Sequence, residues 1–290
     1  MGTFLLRDVI NADSSASISD YGAHVLTWAP VGQSPVIWRP AAIQLREGTA
    51  IRGGVPIIFP WFNTGWDDGR PVSKKPKHGF GRVSFWTYDE TAATDRHIRY
   101  TLDSADFDDD LLAQLHSGDH PRFHATYDIG VGERIAIALT VFNDGDEPLT
   151  YEAALHTYLH VGDVERIAVT GLEACDYLDN TQANVPRCPA TGEPITFSGM
   201  VDRTYLRDAA SDAPITIDDP TLGRMIEVVN GGAPQAVVWN PGQAAGDAMG
   251  DLATGEWRGF VCVEAVARLD RSIVLAPGET HTLSQTLAVR

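Results

Sequence analysis

Apolar and polar positions alternate with a strand-like period through most of this chain. Arg134 to Phe142, R-I-A-I-A-L-T-V-F, is rich in β-branched and apolar residues, and the turn signal N-D-G-D-E-P follows it. That order predicts a hairpin into L-T-Y-E-A-A-L-H-T-Y-L-H. A second hairpin is predicted to join R-M-I-E-V-V to Q-A-V-V-W through Asn230, Gly231 and Gly232, and a turn at Pro277 and Gly278 leads into the last strand, T-H-T-L-S-Q-T-L. One helix is expected, D-F-D-D-D-L-L-A-Q-L-H, whose acids fall in the first turn where the helix dipole favours them. Many short strands with turn signals predict an all-β sandwich rather than a βαβ fold. No Ser/Gly-rich or Pro-rich tract divides the chain, so residues 1–290 are expected to form one domain with a substantial core.

Two strand-like runs carry candidate chemistry. Alternate side chains of a strand point to opposite faces, so Ala153, Leu155, Thr157, Leu159 and Val161 form one face, suited to a core. Glu152, Ala154, His156, Tyr158 and His160 form the other, suited to a binding surface. The run F-V-C-V-E reads as a buried strand ending in Glu264, and a buried carboxylate needs a partner or a cavity mouth. If the two strands lie side by side, His156 and Glu264 face one pocket, the minimum equipment for acid–base chemistry. A plain ion pair or an exposed strand end is the competing reading.

The segment Ile51 to Arg82 adds Arg52, His78 and Arg82 among glycines, prolines and aromatics. Charge sharpens its meaning: 39 acids against 22 bases give a net charge of -17, yet the only lysines, Lys74, Lys75 and Lys77, cluster here. A chain this acidic repels anions at long range and disfavours nucleic acid, so any anionic ligand must be caught locally. Lys74 and Lys75 are expected to face water, and Lys77, beside His78, to approach the site. Arg52 could instead brace the glycine turn and Arg82 could pair with an acid. Gly53 and Gly54 suit a tight turn, and R-G-G-V-P lacks the spacing of a P-loop. Trp61, Phe62, Trp66 and Trp239 could supply a stacking wall for the apolar face of a ligand or belong to the core.

Cys175, Cys188 and Cys262 are odd in number and lack CxxC spacing, which favours a reducing compartment. With no secretory leader pattern and no apolar run of membrane length, a cytoplasmic protein without membrane association is expected. No association motif is visible, so a monomer is the default.

The blocks I-R-G-G-V-P-I-I-F-P-W-F, K-H-G-F-G-R-V-S-F-W, A-L-H-T-Y-L-H-V-G-D-V, V-D-R-T-Y, V-V-W-N-P-G and F-V-C-V-E, in this order from position 51 to 264, resemble the hexose-6-phosphate 1-epimerases, relatives of galactose mutarotase. The resemblance implies a large two-sheet antiparallel β-sandwich with its site on a concave face, and neither metal nor organic cofactor. It implies His156 as general acid, Glu264 as general base, Asp202 on sugar hydroxyls, Arg52 and Arg82 on a phosphate, and His78 lining the site. Lys77 departs from the Gln or small residue of that family, so its part as an added phosphate contact is open, and the loop from Gly242 to Trp257 also departs.

The implied reaction interconverts the α and β anomers of a hexose 6-phosphate, most directly glucose 6-phosphate. It requires an ionised Glu264 and a protonated His156, and nearby carboxylates such as Asp202 are expected to hold the imidazolium. Planar arginine forks match phosphate oxygens. An aldose 1-epimerase for unphosphorylated sugars would not need the arginine pair. A non-catalytic carbohydrate-binding sandwich would not need His156 with Glu264. A metal on His156 and His160 with His78 is the third rival, but a strand separates residues four apart by about 13 Å, too far for His156 and His160 to share one ion directly.

Overall fold

The computed structural model describes residues 3–118 and 120–290. Two eight-stranded antiparallel sheets face each other across the main core. The first runs in the order Ala168–Thr170, Ile215–Asp219, Arg224–Gly231, Thr280–Val289, Ile135–Asn143, Phe123–Val131, His97–Asp103, Thr87–Tyr88. The second, which carries the site, includes Tyr177–Asp179, Val201–Leu206, Gln235–Asn240, Phe260–Ala267, Ala153–Leu155 and Ile57–Ile58 in that order, with Tyr158–His160 also paired to Phe260–Ala267. A three-stranded sheet of Leu6–Ile10, Ser14–Ser19 and His24–Pro30 packs beside them.

Strands of the first sheet alternate along their length: Phe123–Val131 buries every second residue, as one-sided burial demands. Phe260–Ala267 is buried at all eight positions, because one face meets the core and the other is roofed by loops. Full burial of Phe260, Val261, Val263 and Val266 contributes about 1.5–3 kcal/mol per side chain.

Both predicted hairpins are corrected. Ile135–Asn143 pairs with Phe123–Val131 and Thr280–Val289, whereas Leu149–Tyr151 pairs with Ile273–Leu275. Arg224–Gly231 and Gln235–Asn240 lie in different sheets, so Asn230, Gly231 and Gly232 mark a crossover rather than a hairpin turn. The expected helix is reduced to one α-turn at Asp109–Leu112, capped by the Asp108 carboxylate accepting from Leu111 N at 2.8 Å, with 3₁₀ turns at Ser104–Asp106 and Ala113–Leu115.

Behind the site a buried polar bridge ties the two sheets together. Thr157 donates to Gln285 at 2.5 Å, Gln285 donates to Val263 O at 3.1 Å and Asn230 Oδ1 at 2.9 Å, and Asn230 donates to Glu264 O at 3.2 Å. These bonds hold the backbone on either side of His156 and Glu264 from the core, where satisfied polar groups rigidify their surroundings.

The R-G-G turn is set from the opposite side. His24 contacts Gly53 O through Nε2 at 2.8 Å, and burial lowers its pKa to about 4, so the neutral ring donates this bond. Gly54 has φ +66°, and a Cβ there would stand 2.3 Å from His24 Nε2 and 2.4 Å from Val25 O. Gly54→Ala is therefore expected to cost at least about 3 kcal/mol, combining left-handed backbone strain with overpacking. Gly69→Ala, at φ +74° with nothing within 4 Å, should cost only the backbone share of about 1–2 kcal/mol. Urea unfolding of the two variants checks the contrast, and equal losses would count against this account.

Candidate active site

Strand register assembles the site. Leu155 pairs with Ala265 and Tyr158 with Cys262 in one unbroken register, so His156 falls opposite Glu264. A tight turn in which Thr157 N bonds Leu155 O at 3.0 Å kinks the chain at His156, while His156 N bonds Pro56 O at 3.1 Å. The rung therefore runs Thr204, Val237, Glu264, His156, Pro56, and the next one runs Asp202, Trp239, Cys262, Tyr158. The two strands thus lie side by side, the condition under which His156 and Glu264 face one pocket, although Phe260–Ala267 continues three residues past Glu264 instead of ending there.

The rungs floor a cavity of about 560 Å³ lined by His156, Glu264, Arg52, Lys77, His78, Arg82, Asp202 and Arg268, with Phe62 and Trp239 among its aromatic walls. That volume suits a ligand of sugar-phosphate size. Of the four aromatics considered, Trp61 belongs to the core and Trp66 to a short outer hairpin. His156 stacks on Tyr158 at 5.0 Å and 10° and meets Trp239 edge-on at 5.8 Å.

His156 Nε2 lies 3.5 Å from Glu264 Oε1. His156 Nδ1 and Glu264 Oε2 are buried without a hydrogen-bond partner. Burial lifts the Glu264 pKa well above the usual carboxylate range, and Asp202 adds to the effect. Burial also lowers the His156 pKa to about 3, with Arg82 and Arg52 contributing. This corrects the expectation that carboxylates keep His156 protonated. In the free site desolvation outweighs their attraction, which leaves the imidazole neutral and pushes Glu264 towards its protonated form.

The arginines differ in how they are held. Arg52 donates to Asp251 at 2.9 Å and to the Tyr158 hydroxyl at 2.9 Å. Arg82 donates through Nη2 to Lys77 O at 2.8 Å, and its Nε is buried without a partner. Burial brings the Arg82 pKa down to about 10, and Arg52 adds to the lowering. Both therefore keep their charge at neutral pH, and neither alternative reading of them holds whole: Arg52 pairs with an acid, while Arg82 has none in salt-bridge contact among the described residues.

His78 takes a left-handed backbone, φ +67°, and its Nδ1 accepts from Asn63 N at 3.2 Å. With its pKa lowered by burial and by Arg82, the ring is neutral and carries its proton on Nε2 as a donor. Asp202 accepts from Asn180 at 2.8 Å, and burial raises its pKa.

Two residues assigned to the binding face lie elsewhere. Glu152 caps Phe62 N at 3.0 Å and Leu269 N at 2.8 Å, and His160 bonds Pro35 O at 3.0 Å. Lys74 is also corrected: it is 8% exposed and packs near Trp61 instead of facing water, whereas Lys75 is exposed. Asn180, Asp251 and Arg268 also line the cavity, outside the residues that the sequence leads one to expect there. Asn180 and Asp251 arrive on loops with no local signal, but Arg268 shares the strand parity of Glu264. Among the described residues no group of three or more His, Cys, Asp or Glu side chains could hold a metal ion. No helix among them is long and apolar enough to cross a membrane.

A galactose mutarotase-like sandwich with a histidine–carboxylate pair at the floor of a polar, aromatic-walled cavity defines a sugar isomerase, one that interconverts anomers. A family model for aldose 1-epimerase matches residues 8–288, and the chain belongs to that family. It is 32% identical over 255 residues to a Salmonella typhimurium protein described as "putative glucose-6-phosphate 1-epimerase", the match covering 87% of this chain and 79% of that one. An Escherichia coli protein of the same description is 31% identical over 276 residues, covering 94% and 86%. The crystal structure of a "putative mutarotase" from Salmonella typhimurium superposes with a TM-score of 0.80 at 31% identity, covering 98% of this chain and 90% of that chain.

Proposed function

We propose that the protein interconverts the α and β anomers of a hexose 6-phosphate, glucose 6-phosphate foremost. The observation that carries this reading is the presence of Arg52 and Arg82, still charged and with Arg82 Nε unsatisfied, in the same cavity as His156 and Glu264. In a chain of net charge -17 a local cluster of cations is what an anionic substrate requires. Two arginines at about 5 Å from a phosphate each contribute on the order of 3 kcal/mol at an effective dielectric near 20, before desolvation. The relatives' descriptions as glucose-6-phosphate 1-epimerases agree.

Once the proton of the pair has passed from Glu264 to His156, which phosphate on Arg52 and Arg82 favours, Glu264 takes the proton of the C1 hydroxyl while His156 donates to the ring oxygen. The C1–O5 bond breaks to leave an aldehyde and a C5 hydroxyl. After rotation about C1–C2, O5 attacks the other face of C1, returning its proton to His156 while Glu264 returns the other to O1. Asp202 and the neutral His78 hold ring hydroxyls. The step consumes no net proton, so a pair that shares one proton suffices.

Phosphate on Arg52 and Arg82 also offsets the two cations that depress His156. Titration followed by NMR of ¹³Cε1-histidine is therefore expected to place the His156 pKa near 3 in the free protein and higher in the presence of inorganic phosphate. An anion favours the imidazolium, so the shift must be upward. An unmoved or lowered pKa with phosphate bound would argue that the phosphate sits elsewhere.

The primary test is anomer exchange by NMR on glucose 6-phosphate and on glucose. Acceleration confined to the phosphorylated sugar supports the proposal, equal acceleration of both favours an unphosphorylated aldose, and none leaves a binding module.

A further inference from the structure

Arg268 stands one residue beyond Phe260–Ala267, on the same face of the strand as Glu264 and Val266. It is 7% exposed and lines the cavity. Its guanidinium lies over the Phe62 ring at 4.6 Å, and its Nε is buried without a partner. Among the described residues the guanidinium donates no hydrogen bond to protein and lies in no salt bridge. The carboxylates that face it are Glu152, Asp202 and Glu264. Glu152 is already engaged by Phe62 N and Leu269 N, and Asp202 by Asn180. A buried cation whose donors the protein leaves unused is costly in isolation, and such a group is suited to being completed by a ligand.

Position says which part of the ligand. Arg52 is anchored to Tyr158, whose rung meets the long strand at Cys262, two residues before Glu264. Arg268 follows Glu264 by four residues, on the other side of the His156–Glu264 rung. If that rung holds C1 and the ring oxygen while Arg52 and Arg82 hold the phosphate on C6, the ring edge pointing away from the phosphate is C2, which lies across the ring from C5. Arginine is a donor-only group with a fixed fork, so it recognises hydroxyl oxygens as acceptors.

We propose that Arg268 is a specificity-determining residue that donates to the hydroxyl on C2 of the hexose, with Phe62 holding the guanidinium plane. This deepens the reading of the site as one for a hexose 6-phosphate and rests on it. A sugar lacking the C2 hydroxyl leaves the buried guanidinium unpaired, and a site built to hydrogen-bond a substrate group discriminates strongly against its absence.

The test compares anomer exchange of glucose 6-phosphate and 2-deoxyglucose 6-phosphate, each corrected for its spontaneous rate, on wild type, Arg268→Gln and Arg268→Lys. Wild type is expected to favour glucose 6-phosphate in kcat/KM by about 10²-fold, the loss of one hydrogen bond to a charged group. Arg268→Gln is expected to lower that value by a similar factor and leave 2-deoxyglucose 6-phosphate nearly unchanged, bringing the ratio towards one, with Arg268→Lys between. An equal loss on both sugars, with the ratio kept, overturns the proposal and assigns Arg268 a structural or general electrostatic role. Wild type with no preference at C2 overturns it without any variant. Failure of wild type to accelerate either sugar phosphate overturns the reading of the site itself.

Discussion

Glu264→Gln is expected to reduce kcat/KM for anomer exchange by about 10³-fold, within the 10²–10⁴ range that a positioned acid or base contributes. The amide keeps the shape of the side chain and removes its proton chemistry, so the loss should fall on kcat, with KM little changed. Folding should not suffer. Glu264 is 1% exposed, its Oε2 has no hydrogen-bond partner and burial already pushes it towards the neutral form. A neutral isostere relieves that desolvation, so the melting temperature should be unchanged or raised. His156→Asn should lose activity to a similar extent, and the double variant should lose little more than either alone, because the two groups work on one proton circuit. NMR exchange rates with thermal melts decide the matter. Near-wild-type exchange in Glu264→Gln would remove the carboxylate from the mechanism, whereas lost activity with a collapsed melting temperature would show only a folding defect.

Arg82→Gln should separate phosphate recognition from chemistry. Truncating one member of a buried charged pair costs about 2–5 kcal/mol, so kcat/KM for glucose 6-phosphate should fall by about 10²-fold or more. Any activity on glucose should stay level or rise. The rise has a cause in the structure: Arg82 leads the charged groups that depress His156, after burial, and its removal makes the acid easier to protonate. Arg52→Gln should show the same selectivity less cleanly, since it also releases Asp251 and the Tyr158 hydroxyl. Parallel assays on the two sugars check this. Equal losses on both would mean that Arg82 only braces the loop through Lys77 O.

Much of the cavity was legible because side-chain parity along a strand is a property of the local backbone. Thr157 goes to the core and His156 and Tyr158 to the cavity, as alternation required. The same rule applied two and four residues further along F-V-C-V-E-A-V-A-R leads through Val266 to Arg268, but a strand that ends at Glu264 leaves Arg268 outside it. Glu152 and His160 obeyed parity and still missed the cavity, because loops cover one end of the strand and Pro35 engages the other. The loop residues Asn180 and Asp251 have no periodic signal and reach the site only through distant contacts.

The sequence by itself determined the all-β class, the face each strand residue takes and the residue types gathered around an anomeric reaction, since backbone period and side-chain chemistry are carried locally. Tertiary structure decided which strands pair. Turn signals at N-D-G-D-E-P and N-G-G suit a hairpin and a crossover equally, and the choice depends on which non-local pairing buries more apolar surface. It also decided the resting protonation of the pair. A neutral His156 beside a Glu264 pushed towards its protonated form follows from how deeply both are buried, with two arginines from other parts of the chain adding to the lowering of His156, and desolvation is a property of the assembled cavity.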